Sequence, residues 1–530
     1  MPHLTVVTDG GLRRIAFLAG SSLREILDAT DLRVRCGCRG NGRCGLCLIQ
    51  IEAGEVAPPT ANERLMLQPR QLEQNIRLAC QVMPQHDLSI RIINAAPRSN
   101  WRILPPSAVP LVPAQLQLTS RHGYGVAVDL GTTHISMTLL DLRKGVRITG
   151  RTGLNPQWQY GSDVMTRLVV ASESPDNARK MSQIAFDAIG DALVDICSRH
   201  GVNAREIVHM AVVGNTPMLA ILTETTPEAL LRPESWTRGM ECPLRNPQAW
   251  INAFGLHPQA VVETVAPLAG FVGSDLLAGV LATRLTQRPG GLLIDFGTNS
   301  EMALWDGERL WTTSAAGGPA FEGSGIPCGM PAESGAICRV APKQNSTEFD
   351  YHVIGECGAT GICGSGLVDL IACLLRAGRL TLKGKFAAQD GDGFVIGPDN
   401  PAIRLDSKGV DIFQRAKAAI GVGIRTLLAM ANMNADQLQC VCVCGAFGQY
   451  LDIGNAQAIG LLPKTPSERV VLCGNTALGG CELLLLAPGA SAELALLRRS
   501  AVIINLAQAP DFDTAFLECL YLRPLELNQQ

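Results

Sequence analysis

Between positions 36 and 47 the chain reads Cys-Gly-Cys-Arg-Gly-Asn-Gly-Arg-Cys-Gly-Leu-Cys, and one more cysteine, Cys80, follows in Arg-Leu-Ala-Cys-Gln. Cys38, Cys44 and Cys47 are separated by five and two residues. Three thiolates in one loop and a fourth far downstream form the ligand pattern of a [2Fe–2S] cluster. A loop that delivers them must wrap tightly, and Gly37, Gly40, Gly42 and Gly45 permit the positive φ this requires. Amides exposed in the wrap can donate to the sulfurs and tune the potential. Arg35, Arg39 and Arg43 offset the charge of a ligated cluster, meet an acidic partner, or form a solvated loop face. Zinc also accepts four cysteines but favours two short pairs, which the distant Cys80 does not supply. Cys36 competes with Cys38 as a ligand.

The rest of the chain sets the context. Its 530 residues call for about three domains. An apolar share of 47% and a charged share of 18% describe a compact protein. A net charge of −3 gives no reason to expect nucleic acid or an anionic membrane as partner. The first residues lack the apolar core of a secretory signal, and the best apolar stretch, Leu483 to Leu506, is broken by Glu493, Arg498 and Arg499. The expectation is a cytoplasmic protein with reduced thiols. Its 18 cysteines then mean metal binding and buried small residues. Cys440, Cys442 and Cys444 alternate along an apolar run and predict one face of a buried strand. Cys357 and Cys363 repeat the five-residue gap without a third cysteine two residues on.

Residues 1–93 read as a small α/β unit: a hairpin turning at Asp9-Gly10-Gly11, a capping box at Ser22 and Glu25, a strand over Cys47 to Ile51, and a second helix start at Thr60 and Glu63. Residues 94–122, with five prolines, read as a semi-rigid linker. An internal repeat follows. GVAVDLGTTHISMTLLDL starts at Gly125 and GLLIDFGTNSEMALWDG at Gly291, and matching Asp129 to Asp295 matches Gly131 to Gly297 and Thr132 to Thr298. Each copy reads strand, Gly-Thr turn, strand. The duplication predicts two α/β halves, 123–290 and 291–490, with a cleft between them and a C-terminal extension over 491–530.

In such turns, threonine hydroxyls and main-chain amides hold phosphate oxygens. The candidates are Gly131, Thr132 and Thr133 in the first copy, and Gly297, Thr298, Asn299 and Ser300 in the second. Asp129 and Asp295 at the strand ends can orient hydrated Mg²⁺ or an attacking water. A third glycine-rich segment, Gly445-Ala446-Phe447-Gly448, can pass under an adenosine. No Walker A sequence is present, so the chain is not a P-loop NTPase.

These features carry resemblances. The four-cysteine pattern resembles plant-type ferredoxins, with the longer first gap of the adrenodoxin-like members favouring Cys38 over Cys36, and implies a β-grasp domain. The two Asp-x-Gly-Thr turns and the adenosine segment resemble the actin, sugar kinase and heat-shock ATPase (ASKHA) superfamily. Together, over essentially the whole chain, they resemble the reductive activators of corrinoid proteins. The segments 211–220, 315–337 and 358–372 add to that resemblance, and Glu322 is a candidate for positioning water or Mg²⁺. The resemblance implies a [2Fe–2S] cluster, ATP with Mg²⁺, a corrinoid protein of a methyltransferase system as partner, and a flavodoxin, ferredoxin or reductase upstream. It implies one-electron reduction of Co(II) to Co(I), and it is compatible with a homodimer.

The cysteine pattern also resembles the ferredoxin domains of the sodium-pumping quinone reductase and of phenol hydroxylase reductases. Those carry flavin and nicotinamide domains, and no G-x-G-x-x-G follows a strand here. A redox-sensing protein built on an inactive ASKHA fold would also combine a cluster with the doubled turn. A sugar kinase would account for the turns alone, since it has no need of a cluster.

Overall fold

A computed structural model describes residues 2–527 except 9–10, 29, 31, 33, 35–41, 43–44, 46, 95–100, 105–121, 162, 226, 316, 318, 323–325, 344–347, 356–357, 397–402, 446 and 448–449. The N-terminal unit is a five-stranded sheet. Strand His3–Thr8 pairs antiparallel with Gly11–Ala16 and parallel with Leu88–Ile92. Both capping boxes form. Ser22 N–H donates to Glu25 Oε2 at 2.8 Å and opens helix Leu23–Asp28, and Thr60 with Glu63 caps helix Ala61–Met66.

Glu63 does more than cap. Its carboxylate is fully buried and takes two 2.8 Å bonds from Arg77 and a third from the Leu78 amide at 3.0 Å. A buried charge is tolerated only when paired and hydrogen-bonded in this way. The pair fixes strand Ile76–Leu78, two residues before Cys80.

The duplication reaches beyond the two turns. One six-stranded sheet runs Val261–Thr264, Ile207–Gly214, Tyr124–Leu130, His134–Asp141, Val146–Leu154, Arg102–Ile103. The other runs Val470–Gly474, Cys440–Gly445, Gly291–Phe296, Ser300–Trp305, Leu310–Ala315, Ala501–Ile504. In each, two parallel strands precede an antiparallel three-strand meander, so the first five positions match in order and direction. The sixth strands differ. Arg102–Ile103, from the segment read as a linker, pairs antiparallel. Ala501–Ile504, from the segment read as an extension, pairs parallel.

Helices Ser274–Thr283 and Thr476–Leu486 lie between the sheets, packing Ala278 and Leu478 against Ala127 and Val213 on one side and Leu277 against Leu293 and Cys442 on the other. They approach so closely that a Cβ on Gly480 would lie 1.9 Å from the Ala278 carbonyl oxygen. The cysteines of the 440–445 run sit on a buried strand, as their alternation predicts.

Candidate functional site

Cys47 and Cys80 are 33 residues apart in sequence, and their sulfurs lie 3.4 Å apart. Two thiolates on one tetrahedral metal, with bonds of about 2.3 Å, are separated by ~3.7 Å. The observed separation is close to that of two ligands on one metal ion. Cys80 Sγ also lies 3.7 Å from Gln81 Nε2, and its pKa is lowered to about 6, mainly by the Cys47 thiol. Cys36, Cys38 and Cys44, with Arg35, Arg39 and Arg43, fall outside the described residues.

Between the two large sheets lies a cleft of about 470 Å³. Both repeat turns line it, through Asp129, Gly131, Thr132 and Thr133 on one side and Asp295, Gly297, Thr298 and Asn299 on the other. They touch: Thr133 Oγ1 and Thr298 Oγ1 are 2.8 Å apart across 165 residues. Asn475 donates from Nδ2 to Asp129 Oδ2 at 2.7 Å, and Asn215 donates to Thr132 Oγ1 at 2.9 Å. The Thr132 carbonyl accepts from Arg167, and the Gly131 carbonyl from Asn155. Across the cleft, Gly445 has φ of +80°, and a Cβ there would meet Phe296 O at 2.3 Å and Asp295 Oδ1 at 2.4 Å.

The cleft gathers acid. Asp275 and Glu301 line it together with Asp129 and Asp295. Burial, only partly offset by the Asn475 bond, pushes the Asp129 carboxyl up to about 6. Burial and then the Asp129 charge push Asp275 up to about 7. Burial, then Asp275 and Asp295, hold Glu301 well above the usual carboxylate range. Arg102, in the same cleft, is paired with Glu333. Clustered carboxylates with raised pKa in a concave site mark a place suited to a bound cation or to proton transfer.

Two of the sequence candidates lie away from the cleft lining. Ser300 is fully buried beneath its turn and is not among the cleft-lining residues. Phe447 is packed edge-on to Phe296 at 4.9 Å, with Phe321 beside it at 5.3 Å, so its ring belongs to the core. Of the adenosine segment only Gly445 lines the cleft, Ala446 and Gly448 being outside the described residues, as is the side chain of Glu322 at the end of turn Pro319–Glu322.

Asp275, Glu301 and Asn475 line the cleft and were not singled out in the sequence; Asn215, in segment 211–220, and Cys363, Gly364 and Ser365, in segment 358–372 at the start of helix Gly364–Arg376, line it too. A signal for two of them existed. Gly-Asn-Thr occurs at 214–216 and again at 474–476, and each asparagine caps the helix that follows it.

A cysteine-bearing β-grasp unit joined to a duplicated α/β fold with a carboxylate-lined interdomain cleft defines an iron–sulfur protein of ASKHA architecture. Comparison with known proteins agrees. Residues 7–85 match a 2Fe-2S iron-sulfur cluster binding domain, 124–288 the RACo middle region, and 290–529 the C-terminal domain of RACo, the ASKHA domain. The chain is 30% identical to the corrinoid activation enzyme RamQ of Eubacterium limosum over 74% of its own length and 69% of that protein. It is 29% identical to a [Co(II) methylated amine-specific corrinoid protein] reductase of Methanosarcina barkeri, over 68% of its length and 70% of the relative. A solved reductive activator for corrinoid, iron-sulfur protein superposes with a TM-score of 0.69, 27% identity and 99% coverage of both chains. The chain belongs to the RACo family.

Among the described residues, no helix is long and apolar enough to cross a membrane.

Proposed function

We propose that this chain is an ATP-dependent reductive activator that passes one electron to Co(II) of a corrinoid protein and returns it to Co(I) for methyl transfer. The observation that carries this reading is the meeting of Cys47 and Cys80 at 3.4 Å, in a chain whose other end folds around a nucleotide-sized cleft. A [2Fe–2S] cluster held by Cys38, Cys44, Cys47 and Cys80 supplies a one-electron carrier near about −400 mV. Glu63 and Arg77 hold strand Ile76–Leu78, and Cys80 in the turn after it brings its thiol to Cys47.

Co(I) lies at very low potential, and each ~59 mV of deficit costs a factor of ten in a one-electron equilibrium. The cleft is the device that offsets it. The amides of the two Gly-Thr turns and the hydroxyls of Thr132, Thr133 and Thr298 hold the phosphates of ATP. Asp129 and Asp295 orient hydrated Mg²⁺, with Asp275 and Glu301 behind them. Asn215 and Asn475 keep the first turn aimed at the ligand. Because the cleft walls come from both sheets, binding and release of ATP move the halves against each other. The reductant upstream is a flavodoxin, ferredoxin or reductase.

The test mixes anaerobically reduced protein with a Co(II) corrinoid protein and follows the visible spectrum with and without MgATP. Formation of Co(I), faster or further with MgATP, is the expected result. No Co(I) under either condition overturns the reading, and an equal yield without ATP removes the coupling.

A further inference from the structure

Arg167 is a buried cation whose place in the fold neither the cluster nor the acids of the cleft explain. It sits early in helix Val164–Glu173 and is 1% exposed. Its Nε donates to the Gly161 carbonyl at 2.8 Å, and its Nη1 donates to the Thr132 carbonyl at 2.7 Å and meets the Met218 sulfur at 3.4 Å. Among the described residues no carboxylate is bonded to it. Arg151 and Arg77 are buried as well, and each is bonded to an acid, Asp195 and Glu63. The carboxylate whose charge reaches Arg167 is Asp163, and both oxygens of Asp163 are bonded to Thr166, at 2.9 Å to the amide and 2.7 Å to the hydroxyl. Burial brings the Arg167 pKa down to about 10, which leaves it charged at neutral pH. A buried charge with no bonded counter-charge is costly, and keeping one calls for an anion close by.

The first phosphate turn is where that anion belongs. Three successive carbonyls of the turn are held from behind: Gly131 by Asn155 Nδ2 at 2.9 Å, Thr132 by Arg167, and Thr133 by the Asn155 amide at 2.8 Å. Asn155 and Arg167 are buried and neither lines the cleft, whereas Gly131, Thr132, Thr133 and His134 do. In a planar trans peptide the C=O and the N–H point in opposite directions. Carbonyls tied away from the cleft therefore aim the amides of Thr132, Thr133 and His134 toward it. Successive amides turned one way form an anion-binding concavity. The guanidinium stands one carbonyl behind that concavity and adds a full positive charge to it.

We propose that Arg167 is a positioning residue for a polyphosphate: it holds the Thr132–Thr133 peptide with its amide facing the cleft, and its buried charge is balanced by the phosphates that settle on the first turn. The polyphosphate being ATP rests on the function proposed above. The aim of the turn and the charge behind it stand on the geometry of Asn155 and Arg167.

The test titrates the anaerobic full chain, with its cluster, with magnesium tripolyphosphate and separately with MgATP, by calorimetry. Arg167→Gln keeps a donor for the Thr132 carbonyl and loses the charge. Arg167→Lys keeps the charge and loses the fork that joins Gly161 to Thr132. Arg167→Gln should weaken tripolyphosphate about tenfold, the scale of one bond to a charged group, and Arg167→Lys should recover most of that loss. In the parent, tripolyphosphate should slow amide exchange at Thr132 and Thr133, a readout that needs no variant to fold. Equal losses in the two variants would make Arg167 a brace without an electrostatic part. No loss in Arg167→Gln, or exchange at Thr132 and Thr133 unmoved by the anion, would remove its role altogether. Each of these three results overturns the proposal. Tripolyphosphate bound while MgATP is refused ends the nucleotide reading and leaves the role of Arg167 standing, and refusal of both by the parent ends the two together.

Discussion

Glu63 in the cluster domain and Asp275 in the cleft are both carboxylates set into protein, and their surroundings push them in opposite directions. Burial alone would raise Glu63, but bonds from Arg77, Thr60 and Leu78 outweigh it and hold its pKa below the usual value. Asp275 has burial and the charge of Asp129 against it, which its backbone bonds do not outweigh, and its pKa rises to about 7. The first is a finished structural pair. The second belongs to a group of acids whose mutual repulsion is relieved only by a proton or a cation. A buried acid that is fully partnered supports a fold, whereas a cluster of acids raised together marks where a ligand belongs.

The largest expected effect breaks the finished pair. Glu63→Gln leaves Arg77 buried without its counter-charge and should cost about 3–5 kcal/mol in the cluster domain. Thermal unfolding followed by the cluster's visible absorption reads this, and an unchanged midpoint would remove the distinction between the two sites. Asp275→Asn should do the reverse in the ligand-free protein. It relieves repulsion, so the unfolding midpoint at pH 7.5 should rise, while the stabilisation given by MgATP shrinks. A lower midpoint without ligand would show that Asp275 is a structural acid after all.

Asn475→Ala sharpens the comparison at one bond. A hydrogen bond to a charged group is worth about 1.5–3 kcal/mol, so MgATP affinity measured by calorimetry should fall by roughly tenfold or more. The two sites should also answer pH with opposite signs. Glu63 is lowered on folding, so the stability it gives is present above the unfolded carboxylate range and is lost as acid takes the pH down through its folded value. Asp129 and Asp275 are raised to about 6 and about 7. Their contribution is present in full below the unfolded value and is lost as pH climbs through 6 to 7. Without MgATP, the cleft domain should therefore weaken between pH 5 and pH 8, and MgATP or Asp275→Asn should flatten that slope in denaturant titrations. The smallest effect is Thr133→Val, which removes one hydroxyl contact worth about 1 kcal/mol. In the ligand-free protein, adding Thr298→Val should lower the unfolding midpoint little further, because both changes remove the same Thr133–Thr298 bond.

The same contrast explains what was readable in advance. Ser22 with Glu25 and Thr60 with Glu63 are three residues apart, and their capping role follows from helix geometry alone. The Asp-x-Gly-Thr turns are equally local, and the repeat of the turn led to the repeat of the fold. The partner of Glu63, by contrast, is 14 residues away with no pattern to announce it. Asn475 reaches Asp129 across 346 residues. The side chains of Ser300 and Phe447 lie away from the cleft lining, because a motif fixes a residue's position along the chain but not which way its side chain faces. Once the sheets pack, Ser300 lies beneath its turn and Phe447 joins the aromatic group of Phe296 and Phe321.

By itself, the sequence determined the four-cysteine pattern, the doubled phosphate turn and hence the class of fold, since each depends on residues close along the chain and on backbone geometry they enforce. The tertiary structure alone decided that four acids converge, and that Asn215 and Asn475 brace the first turn. Those meetings are set by how two sheets pack about a shared pair of helices. Packing is a property of whole surfaces, summed over many weak contacts, and no short run of residues encodes it.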